Sequence, residues 1–203
     1  MNLIVVGVLL VISAPQSLSP AQTPADAIVR QLRDLPTPLP AGGRLDPVEQ
    51  RRRELYRQLS LLGNDALPAL SSGLLDADVR LRRNVALVLN VLARGSFDPG
   101  SKVNIRSCLP ALMKALGDND ADVRAWSAQA IGEIGPVAAE AVPALIALLR
   151  NPDVGSRNSA AIALRKIGPE AKAALPALRE ALSDPNEQVR RFAAIAIENI
   201  EGH

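Results

Sequence analysis

The 203 residues carry 23 Lys and Arg against 21 Asp and Glu, a net charge of +2, and only 2% of them are aromatic. Charges of both signs are interleaved without a long block of either, and few rings are present to stack on bases, which argues against a nucleic-acid partner. The one cysteine, Cys108, excludes an intramolecular disulfide, and the one histidine, His203, is the last residue, so Ser-His-Asp, Cys-His and zinc arrangements lack a held imidazole.

Residues 1–25 bear no charged side chain. Leu3 to Ala14 is an apolar core of signal-peptide length, too short to span a bilayer comfortably. Ser19-Pro20-Ala21 offers small residues for cleavage before Gln22. Residues 1–21 are therefore expected to be a signal peptide and the chain to be exported, periplasmic or secreted; an uncleaved N-terminal anchor is the alternative. Next, Ala27 to Leu35 has helical spacing through Ile28, Val29, Leu32 and Leu35. Pro36 to Gly43 is a Pro/Gly-rich connector that cannot be helical throughout. Pro47 to Leu62 reads as a second helix, with Leu55, Leu59 and Leu62 apolar and Gly63 closing it.

A phrase then recurs. Leu109-Pro110-Ala111-Leu112, Val142-Pro143-Ala144-Leu145 and Leu175-Pro176-Ala177-Leu178 are spaced by 33, and Leu67-Pro68-Ala69-Leu70 lies 42 upstream of the first. A fixed period of this size marks units that bury their apolar faces only against each other. Each unit reads as two helices. Proline near the start of the first is tolerated there because its missing N–H has no intrahelical partner. Fourteen residues after the last three prolines stand Arg124, Arg157 and Arg190; in the upstream unit Arg80, at 12, is taken as the equivalent. Six before the last three arginines are turn residues, Asp118, Asn151 and Asp184, in stretches suited to N-capping. The second helix puts Val123, Ser127, Ala130, Ile131 and Ile134 on one face. Gly135-Pro136 and Gly168-Pro169 end two of these helices. With Arg80 as reference, the Leu67 unit carries 11 extra residues (44 against 33), around Gly95 to Lys102 and including Phe97.

The x-Pro-Ala-Leu segments, the Asp/Asn and Arg six apart, and the Ala-Ile-Gly-x-Ile-Gly-Pro ending resemble the HEAT repeat family, in the short form of the phycobilisome-lyase type. The resemblance implies an all-α fold, an α-solenoid of about five helix-hairpin repeats, near 26–63, 64–95, 107–135, 136–168 and 169–200, within a repeat domain 22–203. It also implies that Arg80, Arg124, Arg157 and Arg190 form a structural ladder with turn groups such as Asp118, Asn151 and Asp184. The function expected is that of a scaffold binding another protein through its concave, second-helix face, with no catalysis and no cofactor. A lyase-type or cofactor-handling protein is the alternative, and a nucleic-acid-binding one the second.

Three constellations bear on chemistry. Asp118-Asn119-Asp120-Ala121-Asp122 starts like a calcium loop, but the sixth and twelfth positions hold Val123 and Gln129 where Gly and Glu are needed, so it reads as a capped turn. Cys108 reads as a small apolar filler. A helical wheel on the Val123 unit places Ala125, Gln129 and Gly132 farthest from the core, flanked by Trp126 and Glu133. Transferred along the repeat, it selects a partner-binding set: Arg82, Val85, Trp126, Gln129, Ile162, Lys166, Phe192 and Ile195, with Phe97 in the inserted loop. Trp126 and Phe192 occupy equivalent positions 66 apart.

Overall fold

The computed structural model describes residues 23–36, 46–95 and 103–202. The expected signal peptide, the connector from residue 37 onward, the loop around Phe97 and His203 lie outside the described residues. Among those described the chain is helical, without a strand. Its α-helices are α1 (Pro24–Gln31), α2 (Pro47–Leu62), α3 (Leu67–Gly73), α4 (Val79–Ala93), α5 (Leu109–Ala115), α6 (Ala121–Ile134), α7 (Val142–Leu148), α8 (Val154–Ile167), α9 (Leu175–Ala181) and α10 (Glu187–Glu201).

Local chemistry sets the ends. In α1, Thr23 N–H donates to Asp26 Oδ2 at 2.8 Å and Asp26 N–H to Thr23 Oγ1 at 3.2 Å, a reciprocal cap ahead of Pro24. The Leu-Pro and Val-Pro pairs open the seven-residue helices α3, α5, α7 and α9. The second helix of each of these units is 14 or 15 residues long and is capped by Asp78, Asp120, Asp153 or Asn186. Asp118, Asn151 and Asp184 lie two residues before three of these caps and tighten the turn, each accepting the N–H of the cap residue. Gly135 and Gly168 close α6 and α8 with φ of 75° and 73°, a conformation open to glycine. Pro136 and Pro169 then sit in 3₁₀ turns, Gly135–Ala141 and Gly168–Ala174, that run directly into α7 and α9.

The result is an α-solenoid. The long helices α4, α6, α8 and α10 pack in succession as one row, and α3, α5, α7 and α9 each pack on the long helix of their own unit. Leu70, Leu112, Leu145 and Leu178, the fourth residue of each repeated phrase, have no exposed surface, and neither do Ile131 and Leu164 from the long row. Burial of each such side chain stabilises by about 1.5–3 kcal/mol. Small residues let the long helices approach closely: a Cβ on Gly132 would lie 2.9 Å from Cα of Ala163.

The first unit joins differently. Helix α2 packs on α1 and on the turn that follows α2, while α4 is met by the 3₁₀ turn Leu32–Asp34. Asn84, fully buried on α4, donates to the carbonyls of Leu32 at 2.9 Å and Leu35 at 3.1 Å. Arg52, buried on α2, donates to the Pro36 carbonyl at 2.7 Å.

Candidate protein-interaction face

The repeated arginines stitch one unit to the next. Arg124, Arg157 and Arg190 each donate from Nη1 to the carbonyls six and five residues upstream, at 2.8–3.1 Å. This clamp orients the rest of the guanidinium toward the following unit. Arg157 thereby donates to both oxygens of Asp184, at 2.7 and 3.0 Å, a bidentate pair of the stronger kind. Together with the N–H of Asn186, the Arg157 guanidinium holds the Asp184 carboxyl below its ordinary 3.8. Arg124 faces a unit whose turn has Asn151 in place of an acid, and its Nε donates instead to Ser156 Oγ at 3.0 Å.

In the Leu67 unit this clamp is made by Arg82, not Arg80. Arg82 donates to the carbonyls of Asp76 and Ala77 at 2.9 Å each, and to the two oxygens of Asp118 at 2.7 and 3.0 Å. Arg80 is exposed on the first turn of α4, where its backbone N–H donates to Asp78. The sequence expectation for Arg80 is therefore corrected. Arg82 stands 14 residues after Pro68, as in the other units, so this unit has no shortened turn. The step from Arg82 to Arg124 is 42, nine more than 33, and the insertion after α4 is nine residues rather than 11.

That two-residue shift changes the α4 part of the candidate face. Arg82 belongs to the ladder, with its side chain 17% exposed. Val85 aligns with Ser127 on the core side and is fully buried, so it cannot touch a partner. The α4 equivalents of Trp126 and Gln129 are Asn84 and Leu87. Gly132, which the wheel placed on the outer side, and Ser159, the α8 equivalent of Trp126, are buried in the α6–α8 contact. A wheel of one helix leaves out the neighbour that covers its flank. Asp118 and Asp120 are engaged by Arg82 and Arg83 and by the N–H groups of Asp120, Asp122 and Val123. Buried Cys108 accepts the Ser71 hydroxyl at 3.2 Å, and burial pushes its thiol pKa up.

What remains on the long row is a mixed surface. Trp126 and Phe192 are half-buried against the core, and Ile162 and Ile195 are half-buried beside them on α8 and α10. Arg191 lies over the Phe192 ring, 5.3 Å from its centre. Gln129 accepts from Asn90 and Arg94 and donates to Ser159, each at 3.2 Å, so one amide ties α4, α6 and α8 together. Glu133 accepts from Lys166 at 2.6 Å and from Arg94 at 2.9 Å. Asn90 escapes the sequence reading because the α4 register was displaced, and counting 14 from Pro68 aligns it with Gly132; Arg94 aligns with Pro136, past the end of α6, and has no counterpart on the wheel.

The profile of the family described as HEAT repeats matches residues 88–165 and 109–198. No curated protein matches the chain. Among solved structures, the complex of CpcE and CpcF of phycocyanin lyase from Nostoc sp. PCC7120 is similar at 22% identity and TM-score 0.61, over 94% of this chain and 71% of that one. Computationally designed armadillo repeat proteins for modular peptide recognition are similar at 21% identity and TM-score 0.59, over 86% and 81%. An engineered protein is similar at 24% identity and TM-score 0.57, over 89% and 85%. At these identities the likenesses concern the fold alone. With matches that together run from residue 88 to residue 198, and with paired helices repeating at the same period, the chain belongs to the HEAT repeat family.

Proposed function

We propose that this chain is a scaffold that binds another protein through the exposed side of α6, α8 and α10, and that it catalyses no reaction. The observation that carries the reading is the pair Trp126 and Phe192: two rings at equivalent repeat positions on α6 and α10, each half-buried, with Ile162 on α8 and Ile195 on α10 as further apolar groups. Anchored aromatic side chains are the usual energetic centres of protein interfaces. The polar groups between them, Gln129, Glu133 and Lys166, are already bonded across helices, so the surface is preorganised and loses little on binding. The designed armadillo proteins of similar fold, made for peptide recognition, support the same use of such a surface. The uncharged N-terminal segment supports an exported protein, which directs the search for a partner to that compartment.

The test is capture of bound protein by the tagged chain from its native compartment, set beside Trp126→Ala plus Phe192→Ala. The double substitution is expected to abolish capture while circular dichroism still shows a cooperative helical melt. A partner retained at full yield by that double variant would exclude this face.

A further inference from the structure

We propose that an acidic segment of the protein partner docks where α4 and α6 end, in a notch beside the face described above; the inference rests on that scaffold reading and adds the chemistry of the partner. The notch is a shallow cavity of about 240 Å³ with apolar walls from Ala93, Val103, Ile134 and Val137. Val137, on its wall, is 51% exposed and offers apolar surface to an occupant. Arg106 and Glu133 line the same cavity.

Charge gives the notch its selectivity. Arg94 and Lys166 both donate to the one oxygen Oε1 of Glu133, at 2.9 and 2.6 Å, and their side chains remain 48% and 30% exposed. The guanidinium of Arg106, exposed at the rim, has no acceptor among the described residues. Two cations thus share the one carboxylate that lines the hollow, standing just outside its wall, and a third, Arg106, lies on its rim. Glu140 is the next acid, and it lines the groove on the other side of Arg106. A partner Asp or Glu would take the free donors of Arg94, Lys166 and Arg106, and an aliphatic neighbour would cover Val137. A nucleic acid is a poorer occupant, because no ring lies in the notch to stack a base.

The experiment uses fluorescence anisotropy with the full chain and a fluorescein-labelled peptide of three Glu-Leu-Gly repeats. Matching Lys-Leu-Gly and oligothymidylate probes serve as controls. The acidic peptide is expected to bind, and to weaken with added salt. Arg94→Ala plus Arg106→Ala should weaken it roughly tenfold, the loss of two charge-assisted contacts. Glu133→Gln, which removes the internal competitor, should tighten it several-fold. Because Glu133 also ties α6 to α8, melting curves accompany both variants, and the arginine pair decides if Glu133→Gln does not fold. No binding, equal binding of either control, or indifference to the arginine pair would overturn the proposal. If the peptide fails while Trp126→Ala plus Phe192→Ala still abolishes partner capture, the notch is wrong and the scaffold reading stands. If that double variant also captures normally, both fall.

Discussion

The joint between the first and second units and the joints further along the array meet one requirement with different groups. In the regular array the forward bond comes from a long helix, from an arginine clamped by its own turn carbonyls. In the Arg82–Asp118 and Arg157–Asp184 pairs the side chains are only 9–17% exposed. At the first joint the donor is Arg33, at the end of a short helix. It reaches Asp76 at 3.4 Å and Asp78 at 3.3 Å with 43% of its side chain exposed. There the buried work passes to Asn84, which holds two carbonyls of the preceding turn. In both places a donor in one unit meets an acceptor in its neighbour. Their strength differs because only the regular arginines are fixed and desolvated before they meet the acid.

Five changes would break or sharpen this contrast. Gly132→Val should cost the most, about 3 kcal/mol in urea unfolding, because the new side chain meets the Ala163 backbone, which cannot step aside. A loss under about 1 kcal/mol would mean the α6–α8 contact is softer than its geometry. Asn84→Leu leaves the carbonyls of Leu32 and Leu35 without their donor and should cost about 2 kcal/mol. Amide exchange should accelerate in α1 and stay slow in α8 and α10, as nearest-neighbour stacking demands; uniform acceleration would show that the first joint is not separable. Arg157→Ala should cost about 1.5 kcal/mol, and Arg33→Ala about 0.5 kcal/mol or less, being an exposed pair. Equal losses would erase the distinction. The finest test is pH. The folded Asp184 carboxyl titrates below 3.8, so its contribution is complete above that value and is lost as pH falls through the lower, folded value. The stability gap between the parent and Asp184→Asn should therefore be widest near neutral pH and close on acidification below about 3.8; a gap constant with pH would exclude the ion pair as its source.

Much of this was legible in the chain. The repeated Pro-Ala-Leu phrases located α3, α5, α7 and α9, and the arginine 14 residues on located the clamp in the last three units. The α4 error has a physical origin. Arginine occupies positions 80, 82 and 83, and residue type alone does not choose among them. The choice is made by two carbonyls of the preceding turn and by Asp118, which belongs to the next unit. Gly132 was misjudged for a related reason: glycine on a wheel reads as neutral, and only the approach of Ala163 makes its missing side chain a requirement. The pairing of Arg124 with Ser156 in place of Asn151 was likewise hidden, since both residues sit across a joint that a single repeat does not contain.

The forward direction of the clamp bears on how such a chain can change over generations. Duplication or loss of one whole 33-residue segment within α5–α10 leaves each junction with an arginine behind and an acceptor ahead, a turn carboxylate or the Ser156 hydroxyl, so copy number can drift without new contacts having to arise. A slip of one or two residues inside a segment has no such tolerance, because it carries the arginine off its carbonyls and the long helix off its neighbour together. The first joint, with Arg33 and Asn84 in place of that clamp, cannot be exchanged with the others, and growth or shrinkage of the array is confined to the side that lies beyond it.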